Sequence, residues 1–131
     1  MIDGRKAANL VIEKLEQKAQ KSVEEEIDFM RMSEAFIRDA LIFIETLDET
    51  LRSKSLGSVE RTQRVLRETK VLEVLLRVTV LEKKKVLKFG VHRTKIVVGG
   101  QRESDQVSPS GPVYSQEQLI EWLSSQITSM L

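Results

Sequence analysis

A single histidine, His92, stands in the run Lys88-Phe-Gly-Val-His-Arg-Thr-Lys95. Nucleophilic catalysis through a Ser-His-Asp triad would have to be built on it, and the G-x-S-x-G turn that exposes such a serine does not occur. Beside Arg93 and Lys95 the imidazole reads as a solvated loop or edge-strand residue. Gly99-Gly100 follows an apolar run, but it belongs to neither a Walker pattern nor G-x-G-x-x-G, and no helix opens there to receive a phosphate. It reads as a strand terminus. The chain has no cysteine, which excludes disulfide frameworks, Cys-containing zinc sites, iron–sulfur clusters and thiol catalysis, and fits a reducing compartment. Acids and bases remain. Glu13-x-x-Glu16 and, after 28 intervening residues, Glu45-x-x-Asp48 offer carboxylates one helical turn apart, the hard oxygen ligands that suit Mg²⁺.

These two pairs resemble the spaced E-x-x-E and E-x-x-D pairs of the all-α nucleotide pyrophosphohydrolases. The resemblance implies acids from two antiparallel helices holding Mg²⁺ against a nucleotide triphosphate. It is confined to four residues in a chain that is 31% charged. Facing pairs would also need a helical turn near residue 30, whereas the capping signals place it near Ser22. Surface acids flanking amphipathic stripes are the preferred reading, so a metal-dependent hydrolase ranks third and no enzyme activity, metal or cofactor is expected.

The bases are concentrated. Net charge is only +1, yet lysine and arginine outnumber acids eight to one between Arg77 and Arg102. Arg77, Lys83, Lys84, Lys85, Lys88, Arg93, Lys95 and Arg102 would cluster on a hairpin and its ends, and two-stranded ribbons of this kind can follow a phosphate backbone or enter a groove. Phe89 is the one aromatic residue among them, so the stacking platforms of single-strand binders are missing. Lysine on an edge strand also has a structural use, because it blocks edge-to-edge aggregation.

The elements that must carry these residues are mostly helical. Phe29, Phe36 and Phe43 stand seven residues apart, beside a second stripe of Met30, Ile37, Ile44 and Leu51, which makes an apolar face wider than a two-stranded coiled-coil seam. Burying each such side chain contributes about 1.5–3 kcal/mol, so this face demands neighbours. No Gly or Pro interrupts residues 5–56, which leaves either one very long helix or two joined without the usual punctuation. Ser22-Val-Glu-Glu25 has capping-box spacing, with Lys18 and Lys21 suited to the end of a preceding helix, so a first helix is predicted over 5–21 and a second over 23–54. Ala8, Val11, Ile12, Leu15 and Ala19 form the stripe of the first. Gly57-Ser58 predicts a boundary and a third helix buried through Val65, Leu66, Thr69 and Leu72. Alternation from Val74 predicts a strand over 74–81, with a helix continuing to Phe89 as the alternative; the strand reading gives a turn at Glu82–Lys85 and a return strand over 86–98, broken at Gly90 or His92–Lys95. Residues 99–114 read as a linker or surface loop. Ser115-Gln-Glu-Gln118 is a second capping box, with Tyr114 and Leu119 as its staple, and it opens a C-terminal helix over 116–130.

The fold expected is α+β: a helical layer of three helices with a long central helix over 23–54, a small antiparallel ribbon and a tethered C-terminal helix. Residues 1–98 form one domain, 99–114 the linker and 115–131 the amphipathic helix. The function expected is non-enzymatic assembly, as a homo-oligomer with a dimer favoured, through Phe29, Phe36, Ile37, Phe43 and Ile44. Nucleic-acid binding by Arg77, Lys83, Lys84, Lys85, Lys88, Arg93 and Lys95 is the alternative. Leu119, Trp122, Leu123 and Ile127 are expected to dock the last helix onto the same chain, a neighbour or a protein partner. No secretory signal or membrane span is read, and a cytoplasmic location is expected.

Overall fold

The computed structural model describes residues 3–99 and 105–131. The order of elements is α1 (Gly4–Phe36), α2 (Arg38–Ser53), β1 (Gly57–Leu66), β2 (Val71–Val80), β3 (Lys83–His92), β4 (Lys95–Val98), β5 (Val113–Tyr114) and α3 (Gln116–Thr128). This is an α+β arrangement. The chain divides into two compact units, Met1–Met32 and Ser33–Leu131.

The predicted break at Ser22 is absent. α1 runs through it for 33 residues, and Gln20 Nε2 donates to Glu24 Oε1 at 3.4 Å across that point. A capping box closes off a helix only where the following N–H groups lack helical acceptors, and with no Gly or Pro upstream those acceptors are present. The break comes instead at Ile37 (φ −111°, ψ 26°), whose N–H is shared between the carbonyls of Ser33 (3.3 Å) and Glu34 (3.2 Å). Ile37 has no side chain able to cap α2. Gln116, from the far end of the chain, does so: its Oε1 accepts the N–H groups of Asp39 (2.7 Å) and Ala40 (3.2 Å).

The second unit is built on a five-stranded antiparallel sheet in the order β1-β2-β3-β4-β5, so the two-stranded ribbon expected from the alternation is the centre of something larger. The predicted third helix is strand β1. Gly57 starts it, because a Cβ there would lie 1.9 Å from the carbonyl oxygen of Thr79 on the neighbouring strand. β1 then pairs one-to-one with β2, from Gly57 opposite Val80 to Leu66 opposite Val71. β2 is almost wholly buried, as befits a β-branched apolar run inside a sheet. Leu81 and Glu82, both with positive φ, form the two-residue turn to β3, the geometry that matches strand twist. A second two-residue turn at Arg93-Thr94 breaks the return strand into β3 and β4, at one of the two predicted places.

Cross-strand partners share a face. One face carries Val59, Val74, Leu76, Val78, Leu87, Phe89, Val91 and Ile96, all buried, and receives α2 and α3. Ile37, Ala40 and Ile44 from the α1–α2 junction and Leu119 and Leu123 from α3 are likewise buried. α3 opens with the predicted capping box: Gln118 N–H donates to Ser115 Oγ at 3.1 Å and Ser115 N–H to Gln118 Oε1 at 2.9 Å.

Part of the predicted linker is a fixture of the other face. Val107 is buried, its N–H donating to Glu73 Oε2 at 3.0 Å, and the Lys88 ammonium donates to the Asp105 carbonyl. Gly90 permits this approach, since a Cβ would meet Val71 Cγ1 at 2.6 Å and Val107 Cγ1 at 3.2 Å.

Candidate assembly surfaces

α1 exposes what a core would bury. Every residue from Asp3 to Glu25 is exposed, and Leu10, Val11, Ile12, Leu15, Val23 and Ile27 each leave 45–61% of their surface in water. Because the helix does not stop at Ser22, the stripe read from Ala8 to Ala19 continues through Val23 and Ile27 to Met30. Ala8, Ala19 and Met30 are spaced by 11 residues, as are Ile12 and Val23, and three helical turns return a side chain to nearly the same azimuth. The signal was present in the spacing. It was hidden by dividing the helix at Ser22.

Charge divides along the same helix. Arg5, Lys6, Lys14, Lys18 and Lys21 dominate the first half, and Glu24, Glu25, Glu26, Asp28 and Glu34 the second. No acid occupies the first turn and no base the last, so the charges run against the helix dipole rather than with it. Their arrangement needs another explanation.

The residues predicted for the oligomer interface separate into two groups. Ile37 and Ile44 are buried within the chain's own second unit, while Phe36 is exposed and Phe29 and Phe43 are half-buried. Of the docking-helix residues, Leu119 and Leu123 are fully buried in the same chain, with Trp122 and Ile127 partly covered.

The basic residues do not form one patch. Lys83 and Lys84 are exposed at the start of β3, and Arg93 and Lys95 beyond its end, roughly 30 Å away at about 3.3 Å per residue. Lys85 Nζ donates to Gln126 Oε1 at 2.8 Å on the helix-bearing face. Lys88 is fully buried on the opposite face. Arg77 is exposed, and Arg102 lies outside the described residues. His92 Nδ1 stands 3.3 Å from the Lys70 carbonyl.

Glu13 and Glu16 are exposed on α1, while the second acidic pair serves local structure. Asp48 Oδ1 accepts the Val59 N–H at 2.8 Å and pairs with Arg52 Nε at 2.8 Å. Partial desolvation pulls its pKa upward, but the Val59 N–H and the Arg52 guanidinium outweigh it and hold the carboxyl below its ordinary value. Glu45 pairs with Arg61 at 3.6 Å. Among the described residues no group of three or more His, Cys, Asp or Glu side chains is placed to hold a metal ion.

The face opposite the helices carries ordered charge beside β1. Arg64 Nε meets Glu73 Oε1 at 2.8 Å, and Glu60 is the cross-strand partner of Arg77. A shallow cleft of about 260 Å³ lies there, lined by Thr62, Gln63, Arg64, Glu73, Leu75 and Arg77, smaller than the roughly 300–1,000 Å³ of small-molecule pockets.

No protein-family model, curated protein or solved structure matches this chain. No described helix is long and apolar enough to cross a membrane.

Proposed function

We propose that this chain is a non-enzymatic assembly protein, and that α1 is its assembly element, pairing antiparallel with α1 of a second copy. The observation that carries the reading is the apolar stripe from Ala8 to Met30, exposed from Ala8 through Ile27 and half-buried at Met30. Covering such side chains is favourable by about 25 cal/mol per Å² of apolar surface, and the stripe offers roughly 33 Å of continuous seam at about 1.5 Å per residue.

The charge division selects both partner and direction. A second copy laid antiparallel with Ala19 against Ala19 sets Leu15 against Val23, Val11 and Ile12 against Ile27, and Ala8 against Met30. It also brings Lys14 level with Glu24 and Glu25 of the other helix, so the basic half of each copy faces the acidic half of the other. A parallel pair would set like against like. Alanine at the centre lets the helices approach closely.

The test uses the absence of native cysteine. Ala19→Cys should cross-link with itself under mild oxidation, whereas Ala8→Cys should not, because antiparallel pairing sends the two copies of residue 8 to opposite ends. Leu15→Glu combined with Val23→Glu should abolish the Ala19→Cys cross-link and lower the mass measured by light scattering. A cross-link rate at Ala19→Cys no greater than at Ala8→Cys, with mass unaffected by the double substitution, would reject the proposal.

A further inference from the structure

Among the described residues β1 is an edge of the sheet, and two hydrogen bonds show which of its backbone groups face away from β2. Leu81 N–H donates to the Leu56 carbonyl at 2.9 Å, which makes residues 56 and 81 a bonded pair of the β1–β2 hairpin. Val59 N–H points instead to the Asp48 carboxylate. Bonded and non-bonded pairs alternate along an antiparallel ladder, so Ser58, Glu60, Thr62 and Arg64 bond to β2. The N–H and C=O groups of Arg61, Gln63 and Val65 are directed away from it. Edge strands are ordinarily protected by Pro, Lys, bulges or brevity. β1 has neither Pro nor Lys, keeps an unbulged register over 10 residues, and contrasts with the two-residue β5 at the other edge; its edge is met by Asp48 only at Val59, and its charges Glu60, Arg61 and Arg64 are of both signs.

We infer that β1 pairs antiparallel with β1 of a second copy, in the register that sets Thr62 on the two-fold axis. An axis relating two edges in this way is normal to the sheet and keeps each residue on its own face, so it must pass through a residue and set that residue against itself. Through Glu60 it opposes two carboxylates. Through Arg61 it opposes two guanidinium groups. Through Gln63 it sets Glu60 against Leu66 and Arg61 against Val65, leaving the charges unmatched. Through Thr62 it sets Glu60 against Arg64 twice, and Arg61 faces Gln63 with the outward backbone groups of both available to bond, while Val59, whose N–H is held by Asp48, marks where the new ladder ends.

The neighbouring strand extends the match. Arg77 lies beside Glu60 and Glu73 beside Arg64 on the face opposite the helices. The proposed register continues these into one row across the junction: Arg77, Glu60, then Arg64 and Glu73 of the second copy. The signs alternate throughout, and the two-fold axis generates the same row in reverse. Opposite charges directly across strands are favourable and like charges unfavourable, so the row also discriminates between registers. This contact is separate from the α1 pairing and does not depend on it.

Thr62→Cys would be the chain's sole thiol. On the axis, in a pair not bonded through its backbone, the two Cα atoms would stand about 4.5 Å apart, within the roughly 4.4–6.8 Å that a disulfide spans. Mild oxidation of the full chain carrying Thr62→Cys should give a covalent dimer, while Ser58→Cys, displaced from the axis by four residues in each copy, should not. Glu60→Arg added to Thr62→Cys should slow the reaction about tenfold at low salt and less at high salt, because exposed charges are screened. The series is repeated with Leu15→Glu and Val23→Glu in α1. Cross-linking that persists there while the Ala19→Cys link is lost establishes the edge contact as a second interface. Failure of Thr62→Cys to cross-link, or equal rates for Thr62→Cys and Ser58→Cys, overturns this inference and leaves the α1 proposal to its own test.

Discussion

Arg64 and Glu73, cross-strand partners on β1 and β2, are joined Nε to Oε1 at 2.8 Å, although Glu73 is only 2% exposed and Arg64 is largely in solvent. The second oxygen of Glu73 holds the N–H of Val107. One carboxylate thus fastens a strand on one side and a crossing segment on the other.

Glu73→Ala should therefore cost more than an ordinary surface charge. It leaves the Val107 N–H buried without its acceptor and Arg64 without its partner, a loss of about 2–3 kcal/mol by the scale of hydrogen bonds to charged groups. Glu73→Gln keeps an acceptor and should cost less than half of that. Urea denaturation of both variants measures the difference. Equal stability of Glu73→Ala and the native chain would show that the carboxylate does not hold the segment.

Gln116 tests the junction of α1 and α2. Its Oε1 is the cap that Ile37 cannot provide, so Gln116→Leu should destabilise the second unit by about 1 kcal/mol, the usual worth of an N-cap. Gln116→Glu retains the oxygen but places a charge near Asp39, whose Oδ2 lies 3.5 Å from Gln116 Nε2, and should recover only part of the loss. Thermal unfolding of the two variants provides the comparison.

Asp48 gives the chain a pH dependence of defined sign. Its pKa is lower folded than unfolded, so its contribution is fully present above the ordinary aspartate value of about 3.9 and is lost as pH falls through the lower folded value. Asp48→Asn should be less stable than the native chain at pH 7, and the gap should close as pH falls through the lowered folded value and the native carboxyl is protonated. Denaturation midpoints of both proteins across this range check the convergence.

Several elements were legible because their signals are local. Ser115 and Gln118 cap α3 as their spacing predicts, and the alternation of Val74, Leu76, Val78 and Val80 marks β2. β1 was not legible. Gly57-Ser58 followed by Glu60 imitates a helix start, and an edge strand bearing Glu60, Arg61 and Arg64 shows little of the alternation that a half-buried strand displays. Val107 sits in loop-like text, and its burial depends on Glu73 and Gly90, both distant in sequence. The exposed stripe of α1 was visible only in part, because a satisfactory capping box at Ser22 suggested an end that the continuing backbone had no need to make.

The Gln116 cap also sets a timetable. Residues 39 and 116 are 77 positions apart, which at a synthesis rate of roughly 5–20 residues per second separates their appearance by about 4–15 s. Throughout that interval α2 has no cap for its first N–H groups, and the helix-bearing face of the sheet lacks Leu119 and Leu123. The meander of strands can form in the order it is made, but the unit closes only with its last residues. A nascent chain halted before residue 116 presents that face uncovered and will be the species most prone to aggregate during biosynthesis.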